Sequence, residues 1–312
     1  MKNKSQTVTR LFPFAVLIAL IAGCAKDPQP SAEDPFVPRD VQAHYKFEDN
    51  ATDDNGMFNP LPEDIIDITY EDSHNAAAGK AASFNGSTSL IEIANCEQLL
   101  SHKDFSIAFW IKANSVRDGH FVLGLAGPKG FHFEIDSASW SYQKKYVKLV
   151  QTYDAVDSLI HEDQIWNGDG MTKNNGGWQG VLVNKKLTDV NMRYYFADKW
   201  AHVVVTYNSK TRVNTMFVNG EKVKQTDFDL WPSWDSRRKV TGVDYDGQPA
   251  PADKLALGFI QSRQSNVLRN KPWASYTDQY SNHFWGLMDD LWIFSRALTE
   301  IEAMQLYNSE KP

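Results

Sequence analysis

Short runs in which apolar and polar residues alternate, separated by turn residues, fill the chain from Val41 to Phe294. Period-two alternation puts every second side chain on one face of a strand. Phe105–Ile111 alternates around Trp110, and Trp200–Tyr207, Arg212–Val218, Leu255–Ile260 and Leu287–Phe294 repeat the pattern. Ala82–Phe84 leads through Asn85-Gly86 to Leu90–Ile93, and Asn219-Gly220 after Val218 is a strong two-residue hairpin signal. Only the end reads helical: Thr299 and Glu302 form a capping box ahead of Ile301, Met304, Leu306 and Tyr307. Many strands and one short C-terminal helix predict an all-β fold of two antiparallel sheets packed as a β-sandwich.

Two stretches, about 137–198 and 225–285, break the rhythm. They are long, polar and aromatic, carrying Trp140, Trp166, Trp178, Trp231, Trp234 and Trp273. Plain hairpin loops are shorter, so these are either functional insertions or extra edge strands.

The first residues are an address. Lys2, Lys4 and Arg10 precede an apolar run, Leu11–Ala22, which is shorter than the ~20 residues a bilayer span needs. The run ends in Ile21-Ala22-Gly23-Cys24, which resembles the lipobox of bacterial lipoproteins. That resemblance implies cleavage after residue 23 and lipidation of Cys24, which anchors the chain to a membrane. Ala25-Lys26-Asp27 is similar to signals that send lipoproteins to the outer face of some Gram-negative cells, so the expected location is the outer membrane, exposed at the cell surface. Residues 24–40 hold Pro28, Pro30, Pro35 and Pro38 and read as an extended tether, leaving 41–312 as one domain. With Cys24 consumed, Cys96 has no partner; it reads as a small buried residue or, alternatively, a reactive thiol.

Composition narrows the function. A hydrophobic content of 42% rules out a disordered chain, and two Cys rule out a disulfide scaffold or a cysteine-rich zinc array. The formal charge of −7 argues against a nucleic-acid partner, which demands clustered Lys and Arg. An acidic, aromatic-rich chain suits neutral ligands better.

Six segments then occur in order: His44–Glu48, Gly79–Gly86, Phe105–Ile111, Trp200–Tyr207, Phe217–Gly220 and Gly286–Thr299. Together they resemble the laminin-G-like, concanavalin A-like lectin/glucanase superfamily over about 41–112 and 199–308. The resemblance implies a jelly-roll sandwich. It does not fix function, since that superfamily holds lectins, adhesion modules and glycosidases.

The sharpest catalytic candidate is Phe131-His132-Phe133-Glu134-Ile135-Asp136, where His132, Glu134 and Asp136 share one strand face. It is similar to the catalytic strand of laminarinase-type hydrolases, which implies Glu134 as nucleophile and Asp136 as its assistant. Retaining hydrolysis needs a second carboxyl group ~5 Å away. That position falls on Ala138 or Ser139, and neither protonates a leaving oxygen. Glu162 and Asp163 remain possible sources of an acid from the insertion. The plainer reading is a polar strand face, with no catalytic residues. No Gly-x-Ser-x-Gly elbow, phosphate-cradling Gly loop or His-Glu-x-x-His is present.

The same resemblance implies a structural Ca2+ tying the first strand to the last, held by the Glu48 region, Gly79 and Asp289. Asp290 falls on the opposite strand face and is the poorer candidate. The alternative is that Asp289 caps the sheet by a hydrogen bond without metal. Trp110, Trp200, Trp285 and Trp292 read as sheet-face packing. The insertion residues Trp166, Trp178, Trp231 and Trp234 form a candidate sugar-stacking platform with His132, Glu134 and Asp136 as hydrogen-bonding partners; each Trp could instead pin its own loop. The expectation is a surface-anchored, non-catalytic glycan- or polysaccharide-binding lipoprotein. Its rivals are a divergent hydrolase and an adhesion module working in a surface protein complex.

Overall fold

In the computed structural model, the described residues are 31–100, 103–117, 119–125, 130–137, 145–166, 195–243, 254–265, 275–278 and 281–312. The chain divides into Met1–Ser31 and Ala32–Pro312, and the second unit holds the sandwich. Cys24, Trp178 and Ala138 lie outside the described residues, as do the side chains of Cys96, Asp136 and Trp166. Among the described residues no helix is long and apolar enough to cross a membrane.

In chain order the strands are β1 (Val41–Tyr45), β2 (Ile65–Ile66), β3 (Thr69–Asp72), β4 (Lys80–Asn85), β5 (Leu90–Ile93), β6 (Phe105–Ala113), β7 (His120–Leu125) and β8 (Phe131–Ser137). There follow β9 (Lys145–Ala155), β10 (Ser158–Trp166), β11 (Ala201–Asn208), β12 (Val213–Val218), β13 (Glu221–Asp227), β14 (Val240–Val243), β15 (Leu255–Leu257) and β16 (Trp285–Phe294). A short helix α1 (Cys96–Leu100) follows β5, and α2 (Glu300–Glu310) closes the chain. One sheet runs β13-β12-β11-β6-β16-β4-β3 with β1 also on β16; the other runs β10-β9-β8-β7-β15-β5-β2 with β14 on β9. The predicted antiparallel two-sheet sandwich is the observed fold.

Alternation builds the core. Phe131, Phe133 and Ile135 of β8 point inward and meet Phe105, Ile107, Phe109 and Ile111 of β6, with the Phe109 and Phe133 rings 5.3 Å apart edge to face. The Asn219-Gly220 turn has positive φ at both residues, as a twist-matched hairpin requires, and joins β12 to β13. Asn85-Gly86 does something else: it carries the chain from one sheet to the other, with the Asn85 side chain accepting the N–H groups of Ser87, Thr88 and Ser89. The capping box of α2 forms as predicted, Thr299 Oγ accepting from Glu302 N–H and Glu302 Oε2 from Thr299 N–H.

The stretches set apart in the sequence are partly framework. β9 and β10 extend the second sheet at its edge. β15, inside 225–285, is no insertion: it lies between β5 and β7 in the middle of that sheet.

Candidate functional site

Three places could carry chemistry: the outer face of β8, the outer face of the first sheet, and a ledge at the free end of the β9–β10 hairpin.

On β8, His132 and Glu134 share the outer face as the alternation predicts, with His132 Nε2 3.1 Å from Glu134 Oε2. They do not face an open cleft; each is only 3% exposed. The chain's own 258–264 segment runs past Gly124 beside His132. Ala256 and Gly124 lie in one cross-strand row between Glu92 and His132, and their small size admits this segment. A Cβ on Gly124 would run into the Ile260 carbonyl and into His132. Fully buried Glu92 fastens the segment, accepting from Ser262 Oγ at 2.6 Å, Arg263 N at 2.8 Å and Arg263 Nε at 2.8 Å. Leu90, Phe121, Phe259 and Ile260 pack beside it.

The outer face of the first sheet carries a buried network that the sequence reading missed. Pairing places His202 and Asp289 on either side of Trp110, and His44 opposite Trp292. The indole N–H groups of Trp110 and Trp292 both donate to the Glu310 carboxylate at 2.9 Å. His44 stacks on Trp292 at 3.4 Å and His74 on Trp110 at 4.3 Å. His74 Nε2–H donates to the Glu310 carbonyl at 2.8 Å. Burial, helped by the Asp290 charge and opposed by the two indoles, pushes the Glu310 carboxyl up to about 8. Burial likewise lifts Asp289 to about 6 and lowers His202, neither of whose ring nitrogens has a hydrogen-bond partner, to about 3. With the Glu310 carboxyl of α2 held by two indoles of the sheet, this region binds the protein to itself.

The expected calcium ligands fall beside this network. A bulge between Asp289 and Trp292, with Asp290 at φ 43°, turns Asp290 outward beside Asp289. The opposite-face assignment of Asp290 is therefore corrected: donor atoms of His74, Asp289 and Asp290 lie within 4.8 Å of one another. Gly79, at φ 66°, lies under the Glu48 carboxylate, which a Cβ would strike. Yet the implied ligand atoms all have protein donors. The Glu48 carbonyl accepts from Asn50 Nδ2 at 2.6 Å and the Gly79 carbonyl from Ser73 N–H at 3.0 Å. Asp289 Oδ1 accepts from Asp290 N–H at 2.8 Å, and Oδ2 from the Ser73 hydroxyl. Calcium takes six to eight oxygens; the implied set offers two carbonyls and one carboxylate, and the buried imidazole of His74, a nitrogen donor, stands beside Asp289, so these residues fit the ion poorly.

The third place is built from Trp231-Pro232-Ser233-Trp234-Asp235 and the helical turn Ser236–Lys239. Trp231 is a pin: it packs on the core and the Arg237 guanidinium lies 3.4 Å over its ring. Arg237 also forks onto Asp235, Nε to Oδ1 at 2.9 Å and Nη2 to Oδ2 at 2.7 Å, and this holds the Asp235 carboxyl below the usual range. Trp234 is 81% exposed. It borders a depression of about 550 Å³ with Leu159, Ile160, Asp235, Ser236 and Arg237.

The expected platform is therefore divided. Glu134 pairs with Lys148, whose β10 partner is Ile165. Ile165 is six residues along β10 from Leu159, about 20 Å at strand rise. His132 and Glu134 are not neighbours of Trp234, and Trp231 is packed rather than offered.

No family model matches the chain, and no curated protein matches it. Solved structures do. The binding domain of Paraclostridial Mosquitocidal Protein 1 is 16% identical, with a TM-score of 0.51, over 86% of this chain and 52% of that one. Domain 4 of AbnA, a GH43 extracellular arabinanase from Geobacillus stearothermophilus, in complex with arabinotriose, is 17% identical over 86% and 98%, TM-score 0.46. The Botulinum neurotoxin type G receptor binding domain is 11% identical over 86% and 51%, TM-score 0.47. The chain spans about half the length of the two toxin chains. At such identities the likeness is one of fold: a β-sandwich.

Proposed function

We propose that this chain is a laminin-G-like, concanavalin A-like module of a lipoprotein anchored at the outer-membrane surface through Cys24, and that it binds glycan without cutting it. The observation that carries the reading is Trp234, an exposed indole beside a rigid Asp235–Arg237 fork and a depression of sugar size. Sugars present apolar C–H faces that stack on such a ring and hydroxyls that take directed hydrogen bonds. Non-catalytic binding draws support from Glu134, the implied nucleophile, which is buried against His132 and away from this ledge.

A protein-binding reading has one observation in its favour. Val156 and Leu159, 63% and 55% exposed, lie at the same hairpin end as Trp234. One experiment separates the two. Purified protein is titrated with a panel of neutral and acidic polysaccharides, alongside Trp234→Ala. Wild type is expected to bind a member with a dissociation constant of roughly micromolar to millimolar, and the variant to lose about 1–3 kcal/mol of that with an unchanged melting temperature. Silence across the whole panel would favour the protein partner.

A further inference from the structure

We infer that the node at Asp289 is a metal-free clasp, in which Ser73 and His74 hold by hydrogen bonds what the superfamily resemblance assigns to a calcium ion. The residues belong to the loop between β3 and β4, and the clasp ties that loop to β16 and to the end of α2.

Ser73 bridges two of the implied ligands, Gly79 at the end of its own loop and Asp289 on β16. Its N–H donates to the Gly79 carbonyl at 3.0 Å and its hydroxyl donates to Asp289 Oδ2. An ion on Asp289 Oδ2 would have to compete with the serine hydroxyl for that oxygen. The imidazole of His74 closes the same space: Nδ1 is 2.9 Å from Ser73 Oγ and 3.4 Å from Asp289 Oδ2, and both side chains are fully buried. Imidazole is a ligand for transition metals and a poor one for calcium. A transition metal would have to displace the Ser73 hydroxyl. The three grouped donors come from His74, Asp289 and Asp290, and the Ser73 hydroxyl already bonds between the first two.

The remaining bonds of the loop show what the clasp holds. His74 Nε2–H and Asn75 Nδ2–H both donate to the Glu310 carbonyl, at 2.8 and 2.7 Å. That oxygen is at the C-terminal end of α2, where helix carbonyls lack intrahelical partners. One loop therefore satisfies a buried carboxylate of the last strand and an orphan carbonyl of the last helix.

The test is metal analysis and melting of the wild-type chain, purified without chelator and then dialysed against millimolar calcium, with Ser73→Ala, Ser73→Thr and Asp289→Asn alongside. The clasp predicts less than about a tenth of an equivalent of any divalent metal per chain. It predicts the same wild-type melting temperature in chelator and in calcium, since an ion that is not bound cannot stabilise. Ser73→Ala should melt about 2–6 °C lower, the loss of one or two buried bonds in a domain this size, and Ser73→Thr should recover most of the difference. About one equivalent of metal, or a chelator-induced drop that Asp289→Asn abolishes, would overturn the inference. So would a Ser73→Ala chain that melts with the wild type. Should Ser73→Ala fail to fold, the metal content and chelator response of the wild type still decide.

Discussion

Two parts of the molecule set tryptophan beside an acid and use it in opposite ways. On the outer face of the first sheet, Trp110 is 1% exposed and gives its indole N–H to Glu310, a carboxylate that also takes Trp292. At the end of the β9–β10 hairpin, Trp234 is 81% exposed, and the acid next to it, Asp235, is taken by Arg237 instead. In the first place the acid satisfies the ring; in the second it is satisfied by a cation and the ring is left to solvent. A buried indole needs a partner for its N–H, whereas an exposed one is served by water and keeps its face for something else. The contrast separates a tryptophan that stabilises from one proposed to bind, and it is open to attack from both sides.

The largest effect is expected at the buried member. Trp110→Ala removes a ring packed against His74, His202 and Tyr307 and leaves the Glu310 carboxylate short of a donor. The loss should be about 3–5 kcal/mol, read as a shift of the denaturant midpoint with an unchanged slope. A loss below 1 kcal/mol would mean that α2 does not seal this face.

Glu310→Gln is next. The amide keeps one acceptor oxygen for two indoles, so one N–H is left poorly served, at a cost of about 1–3 kcal/mol. The pH dependence is sharper. The Glu310 carboxyl stands at about 8 folded against an ordinary 4.5, so over that window the folded chain holds a proton the unfolded chain has released. Stability from this group is full below 4.5 and is lost as pH rises through 8. His202, lowered to about 3, gives the opposite slope between 3 and 6.5. From pH 6.5 to 8 the Glu310 slope is clear of it. Melting temperature should fall across that interval in the wild type and stay flatter in Glu310→Gln; equal slopes would remove Glu310 as the cause.

The same contrast marks what could be read from the sequence. Alternation located most of the strands, and inward-facing residues such as Phe109, Phe133 and Ile293 are the core. Pairing order was not legible. β15 reads as a strand, but one set inside an insertion until it is seen between β5 and β7, because nothing in Leu255–Leu257 records its neighbours. His44, His202, Trp110 and Trp292 alternate correctly onto an outer face, but only the register of β1, β6, β11 and β16 brings them together. The bulge that turns Asp290 outward is a single extra residue, and alternation counting assigns it to the wrong side. For the candidate binding site, the aromatic and polar composition of 231–237 singled out the segment. The choice between Trp231 and Trp234 was not available, since it turns on which indole Arg237 covers.

The smallest predicted effect is the most discriminating one. Trp234→Ala should change stability by no more than about 0.5 kcal/mol, because an exposed side chain gives up little burial and leaves no cavity. Its neighbours are already held without it: Arg237 by Asp235 and Trp231, and Asp235 by Arg237 and its N–H. The check is a denaturant melt of Trp234→Ala beside Trp110→Ala under identical conditions, where the midpoints should differ in shift by several-fold. A loss above 1 kcal/mol at Trp234 would show that the ring is a structural pin like Trp231. The exposed indole would then cease to mark a binding ledge, and the distinction between the two tryptophan environments would be one of degree.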